Sequence, residues 1–254
     1  MPNLAKIFNE LLNMQNNNFQ TDFVSTQTGA QSSVKAFLSN VFTYMTGALA
    51  ITGVLSYWFG NSEALMSYLI HPQTGMTALG YITMFAPLAF ILVMSFSFQR
   101  LSSLTLLLLF IAYSGVMGIS LSFIFLAYTQ ASIASTFFIS AAMFGVMAGL
   151  GYTTSQDLTK FGSILIMALI GIIIASLVNM FLGSETMDYI ISIIGVLIFT
   201  GLTAYDVQKL KRIGSGVEYG TDTTNKLAIM GALNLYLDFV NLFLYLLRLF
   251  GDRR

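Results

Sequence analysis

Apolar residues in this chain fall in long unbroken runs, separated by short polar breaks. Seven runs reach the roughly 20 mostly apolar residues needed to cross a hydrocarbon core about 30 Å thick. They cover residues 37–59, 78–98, 104–128, 133–152, 161–182, 189–207 and 228–250. Within a bilayer the backbone must satisfy its own hydrogen bonds, so these runs predict helices. None shows the ten-residue alternation of a membrane β-barrel strand. The expected fold is an all-α integral membrane protein of seven transmembrane helices. Residues 1–32 read as a polar tail, rich in Asn and Gln, and residues 33–254 as the transmembrane domain.

Most breaks are short. Residues 99–103 join the second and third runs, and 129–132 the third and fourth. Short links predict antiparallel neighbours, so runs two to seven are expected to pair as three hairpins. Residues 208–227, with Gly214, Gly216 and Gly220, predict a longer mobile loop. Lysine and arginine set the orientation. Lys6 and Lys35 precede the first run, and Arg100, Lys160, Lys209, Lys211, Arg212 and Lys226 lie in or beside the even breaks. The odd breaks carry none, which predicts a cytoplasmic N-terminus. Seven crossings then place Arg253 and Arg254 outside, against the rule; the alternative is a re-entrant last run, and crossing is favoured.

Composition agrees with the pattern. Of the 254 residues 56% are apolar and only 9% charged, with mean hydropathy +0.77. A soluble domain carries about 25% charged residues. A net charge of zero gives no argument for a nucleic-acid partner. With no cysteine and a single histidine, His71, thiolate or zinc chemistry is not expected. His71, ahead of Pro72, reads as ordinary surface. Ser114, Gly118, Ser120 and Ser122 in the third run read as small residues for close helix packing.

The informative residues are the ionisable ones inside the runs, since each costs about 2.5–3.5 kcal/mol at mid-membrane. They are Asp206, Asp238 and Arg248, with Arg100 at the end of the second run. Asp206 and Asp238 lie on consecutive antiparallel helices and can meet at similar depth. Asn234, Asp238, Asn241, Tyr245 and Arg248 are spaced four, three, four and three, which puts them on one helix face. A polar stripe on an apolar helix predicts an interior or water-lined position, so the seventh helix is expected to be central and wrapped by the other six. Plainer readings exist: Asn and Tyr as interhelical glue at about 0.6 kcal/mol each, Arg248 snorkelling, and Arg100 as a positive-inside anchor. Two adjacent carboxylates in a low dielectric share a proton. Such a pair can bind a hard cation such as Ca²⁺, sense pH, or activate water as an aspartic protease does.

The segment Phe199-Thr-Gly-Leu-Thr-Ala-Tyr-Asp-Val-Gln-Lys-Leu-Lys211 resembles the hallmark of the Bax inhibitor (transmembrane Bax inhibitor motif) family. Ala232-Leu-Asn-Leu-Tyr-Leu-Asp-Phe-Val-Asn-Leu-Phe-Leu-Tyr-Leu-Leu-Arg-Leu-Phe-Gly251 resembles that family's final helix. Met84-Phe-Ala-Pro-Leu-Ala89 and Tyr113-Ser-Gly-Val-Met-Gly118 resemble weaker signatures. The resemblance implies a pH-sensitive calcium leak with Asp206 and Asp238 as the gating pair and transient Ca²⁺ ligands, and Arg100 as their cationic partner. It also implies a bond from Arg248 to an acid in the second span, yet no Asp or Glu lies between Gly80 and Arg100. The short loops resemble bacterial members, which implies the bacterial inner membrane, and a central helix wrapped by six others predicts that a monomer suffices. Two alternatives accompany this reading. One is a regulatory partner of a membrane-bound AAA protease, docking through the polar tail. The other is an intramembrane aspartyl protease, for which Tyr205-Asp206 fits but bulky Leu235-Tyr-Leu-Asp238 does not.

Overall fold

The computed structural model describes residues 4–71, 73–218 and 220–253, with side chains from Ser32 onward. Most of the polar tail expected over residues 1–32 therefore lies outside the described side chains. The first helix, α1 (Leu4–Gly60), crosses with its part Ser32–Gly60. The other spans are α3 (Ala78–Ser97), α4 (Ser103–Leu121), α6 (Gln130–Thr153), α7 (Thr159–Leu182), α8 (Glu185–Gly216) and α9 (Asp222–Phe250). Short elements fill two corners: α2 (Glu63–Leu69) with the hairpin β1 (Ile70–His71) and β2 (Gly75–Met76), and α5 (Ile124–Ala127). Among the described residues seven helices are thus long and apolar enough to cross a membrane.

Five of the spans start where the chain offers a hydroxyl to the unpaired first-turn amides. Thr77, Ser102, Thr129, Ser184 and Thr221 accept from Gly80, Thr105, Ser132, Met187 and Thr224 N–H respectively. The outer helices keep large apolar side chains outward, such as Phe96 (83% exposed) and Phe181 (84%). Such surface is stable against lipid and not against water.

Burial identifies the centre of the bundle. Two-thirds (67%) of the most apolar stretch of α9 is buried and 56% of that of α8, against 17–28% for the other spans. α9 packs on α8, α1, α6 and α4. The expectation that all six other helices wrap the seventh needs correction: α3 packs mainly on α4, and α7 on α8. The hairpin expectation is corrected with it. α3 pairs with α4 and α8 with α9, but α6 and α7 both pack on α8, which separates them despite the short 154–158 link.

Two further boundaries differ from the hydropathy pattern. The mobile loop expected over residues 208–227 is mostly helix, because α8 continues to Gly216 and only five residues separate it from α9. Lys209, Lys211 and Arg212 end the apolar run without ending the helix, since all three are good helix formers. The third span breaks at Ser122, whose hydroxyl donates to the Ile119 carbonyl, before α5 resumes. The last span has the length of a crossing helix and not of a re-entrant one. Beyond α9, Asp252 bonds Ser132, and its carbonyl accepts from Thr129 N–H, at the corner between the third and fourth spans. That corner lies on the face opposite the start of α9.

Close backbone approach fixes the packing. A Cβ on Gly118 would sit 2.7 Å from the Thr52 carbonyl oxygen, and one on Gly151 2.2 Å from that of Ala204. The small-residue reading of the third span is thereby realised between α1 and α4. Gly145, on the same helix as Gly151, faces open space. Gly151→Ala is expected to destabilise the solubilised protein by roughly 1–3 kcal/mol through overpacking. Gly145→Ala is expected to leave the thermal midpoint at or above that of the wild type, and parallel melts of the two variants check both.

Candidate functional site

The seam between α8 and α9 gathers most of the residues picked out by sequence. The two helices run antiparallel, so side chains meet in descending and ascending order. Asp238 meets Asp206, Tyr245 meets Phe199, and Arg248 meets Asp188. The Asp206 and Asp238 carboxyls lie within hydrogen-bonding reach of each other. Asp238 is 6% exposed, and among the described residues its Oδ2 is buried without a hydrogen-bond donor. Its carboxyl neighbour, when ionised, is also only an acceptor. A proton held between the two would supply the donor that Asp238 Oδ2 lacks among the described residues.

Below the pair, the Tyr245 ring stacks on Phe199 with centroids 5.9 Å apart. It occupies a notch at Gly195, where a Cβ would fall 2.7 Å from the ring. At the far end Arg248 Nη1 lies 3.4 Å from Asp188 Oδ1, and its guanidinium sits 5.6 Å over the Tyr245 ring. Asn241 donates to the Leu237 carbonyl of its own helix. Asn234 and Arg248 are exposed, so the stripe is buried only in its middle. Its exposed ends lie at opposite ends of the seam.

Arg100 is exposed at the end of the second span, and α3 is not among the main partners of α8. The cation acting on Asp206 is Lys209, one turn along α8. On the other side of the pair, within two turns along α8, the helix is clasped by the 154–158 loop. Gln208 Oε1 accepts from Leu158 N–H, its Nε2 donates to the Gln156 carbonyl, and Arg212 bonds Asp157 at 2.5 Å. The Thr159 hydroxyl and then the Arg212 guanidinium hold the Asp157 carboxyl far below its usual range. A second polar group lies on the opposite side of α9. Thr52 Oγ1 lies 2.7 Å from the Tyr236 hydroxyl and donates to the Ser114 carbonyl. Tyr113 and Phe110 complete that cluster with ring centroids 5.5 Å and 5.9 Å from Tyr236.

The two carboxyls and their seam lie within segments that carry a family signature. The model of the family described as "Inhibitor of apoptosis-promoting Bax1" matches residues 34–254. The chain belongs to the Bax inhibitor family. The match takes in all seven spans and begins just past the polar tail. Among its relatives, Inner membrane protein YbhL of Escherichia coli is 46% identical over 226 residues, 88% of this chain and 94% of the relative. An uncharacterized protein of Rickettsia prowazekii is 46% identical over 224 residues, 87% and 91% of the two chains. One of Borreliella burgdorferi is 44% identical over 218 residues, 86% and 92%.

For this Bax inhibitor family member, the acid expected opposite Arg248 in the second span is supplied by α8 instead, as Asp188. Nothing in the apolar pattern marks Asp188, because it lies one residue outside the sixth run. Thr52 and Tyr236 were also missed, being single hydroxyls in apolar stretches. Asp188 and Arg248 are 36% and 44% exposed at the side chain. A double-mutant cycle with Asp188→Asn and Arg248→Gln is expected to give a coupling of about 0.2–1 kcal/mol, read from thermal or denaturant unfolding. A coupling near zero would make Arg248 a snorkelling anchor.

Proposed function

We propose that this protein is a pH-sensitive calcium leak of a bacterial inner membrane, gated by the proton shared between Asp206 and Asp238. The name of the E. coli relative supports the location. The observation that carries the gating reading is the carboxyl pair at the α8–α9 seam, in which Asp238 is buried and, among the described residues, one of its oxygens lacks a donor. Calcium is the cargo. Two carboxylates fall well short of the 6–8 oxygens that Ca²⁺ prefers, which suits transit and not retention.

The gate follows from Coulomb's law. With one proton between them the carboxyls carry a single charge, and the hydrogen bond holds α8 to α9. Loss of that proton leaves two like charges about 4 Å apart, a repulsion of about 4 kcal/mol at an effective dielectric of 20. The repulsion is relieved by helix separation or by entry of a cation. Acid closes the path and alkali opens it. Lys209 offsets part of the charge on Asp206, and Asn241, Tyr245 and the Arg248–Asp188 bridge continue the polar line towards the opposite face.

In liposomes loaded with a calcium dye, wild-type influx is expected to rise with pH. Asp206→Asn and Asp238→Asn are each expected to flatten that profile, because neither can form the two-charge state. A wild-type profile in both variants would overturn the gate.

A further inference from the structure

α1 and α6 run antiparallel along one side of the bundle without packing on each other, and the floor between them is α9 and part of α8. The gap is an apolar groove in two sections that share Leu49 and Phe239. The section nearer the lysine-rich face has a cavity volume of about 480 Å³, and the other about 420 Å³. Gly145 and Gly149 line the first, and neither has a neighbour within 4 Å of an added Cβ.

At the lysine-rich face the groove runs into a third cavity of about 650 Å³, joined to it at Tyr152. Among the described residues its walls carry Lys35, Lys211 and Arg212, and no acidic side chain. Arg212 is paired with Asp157, which neutralises it. Among the described residues, neither Lys35 nor Lys211 forms a salt bridge. Lys211 donates to the Tyr152 carbonyl and lies 5.0 Å over its ring, so its ammonium is held at the mouth of the groove.

We propose that this continuous surface binds one anionic phospholipid of the leaflet on the lysine-rich face, its phosphate at Lys35 and Lys211 and an acyl chain along the α1–α6 groove. A cationic cavity alone would suit any phosphate, and an apolar groove alone any lipid. Their junction at Tyr152 selects a molecule that carries both chemistries. Cations at this level attract anionic headgroups, and the lysine stems cover apolar surface while their heads reach the polar layer. The assignment is independent of the calcium leak and uses neither aspartate.

The test is native mass spectrometry of the full chain in detergent, with phosphatidylglycerol and phosphatidylcholine added in equal amounts. The wild type is expected to retain phosphatidylglycerol about fivefold better. Lys35→Gln is expected to remove about fivefold of that preference, leaving phosphatidylcholine retention unchanged. Gly149→Leu, which fills the groove, is expected to lower retention of both lipids, with Gly145→Leu as the second variant should the first fail to fold. Equal retention of the two lipids by the wild type would overturn the proposal, as would unchanged phosphatidylglycerol retention in Lys35→Gln. Displacement of phosphatidylglycerol by an equal concentration of inorganic phosphate would overturn it too, by assigning the cavity to a free anion.

Discussion

A carboxyl group sealed among apolar side chains must find a proton, a cation or a donor. Asp238 sits at that constraint. It is buried on the most buried helix of the bundle, and its neighbour is the carboxyl of Asp206. Much of the surrounding architecture serves to keep those two groups together. α8 and α9 pack closely along their length, and Tyr245 on one helix is seated in a glycine notch on the other. The Gln208 and Arg212 clasp ties the loop between α6 and α7 to α8 just beyond the pair. A gate that depends on one proton needs such a rigid frame, because slack in either helix would let the carboxyls part without titrating.

The same central helix serves both of its sides. Tyr236 and Asp238 are two residues apart, about 200° around a helix, so they face opposite ways. Tyr236 is fixed through Thr52 to α1 and through its aromatic neighbours to α4. α9 is thereby anchored on the α1–α4 side and carries the Asp238 carboxyl on the α8 side. Movement at the seam is more easily assigned to α8, whose loop carries charged groups and whose outer bridge to Arg248 is half-exposed.

The sequence was most legible where energy penalties are large. Twenty apolar residues in a row admit few structures, so all seven spans were readable. Asp206 and Asp238 stood out because a mid-membrane carboxylate needs a reason to be there. Legibility failed where penalties are small. Hydropathy marks membrane thickness and not helix length, so it lost α8 beyond Val207 and predicted a loop in place of helix. Short links limit how far apart two helices can lie but do not make them touch, so the insertion of α8 between α6 and α7 was invisible. Asp188 escaped because an acid at the edge of a span costs little and signals little. Arg100 was marked both as a charge beside an apolar run and by the family resemblance, and the structure leaves it exposed just past the end of α3.

The central claim is that protonation holds α8 and α9 together at one point. The separation of the Asp206 and Asp238 carboxyls, measured in structures determined at acid and at alkaline pH, tests it most directly. The account predicts hydrogen-bonding contact in acid and a gap, or an intervening cation, in alkali. The same separation with nothing between the two groups at both pH values would contradict it.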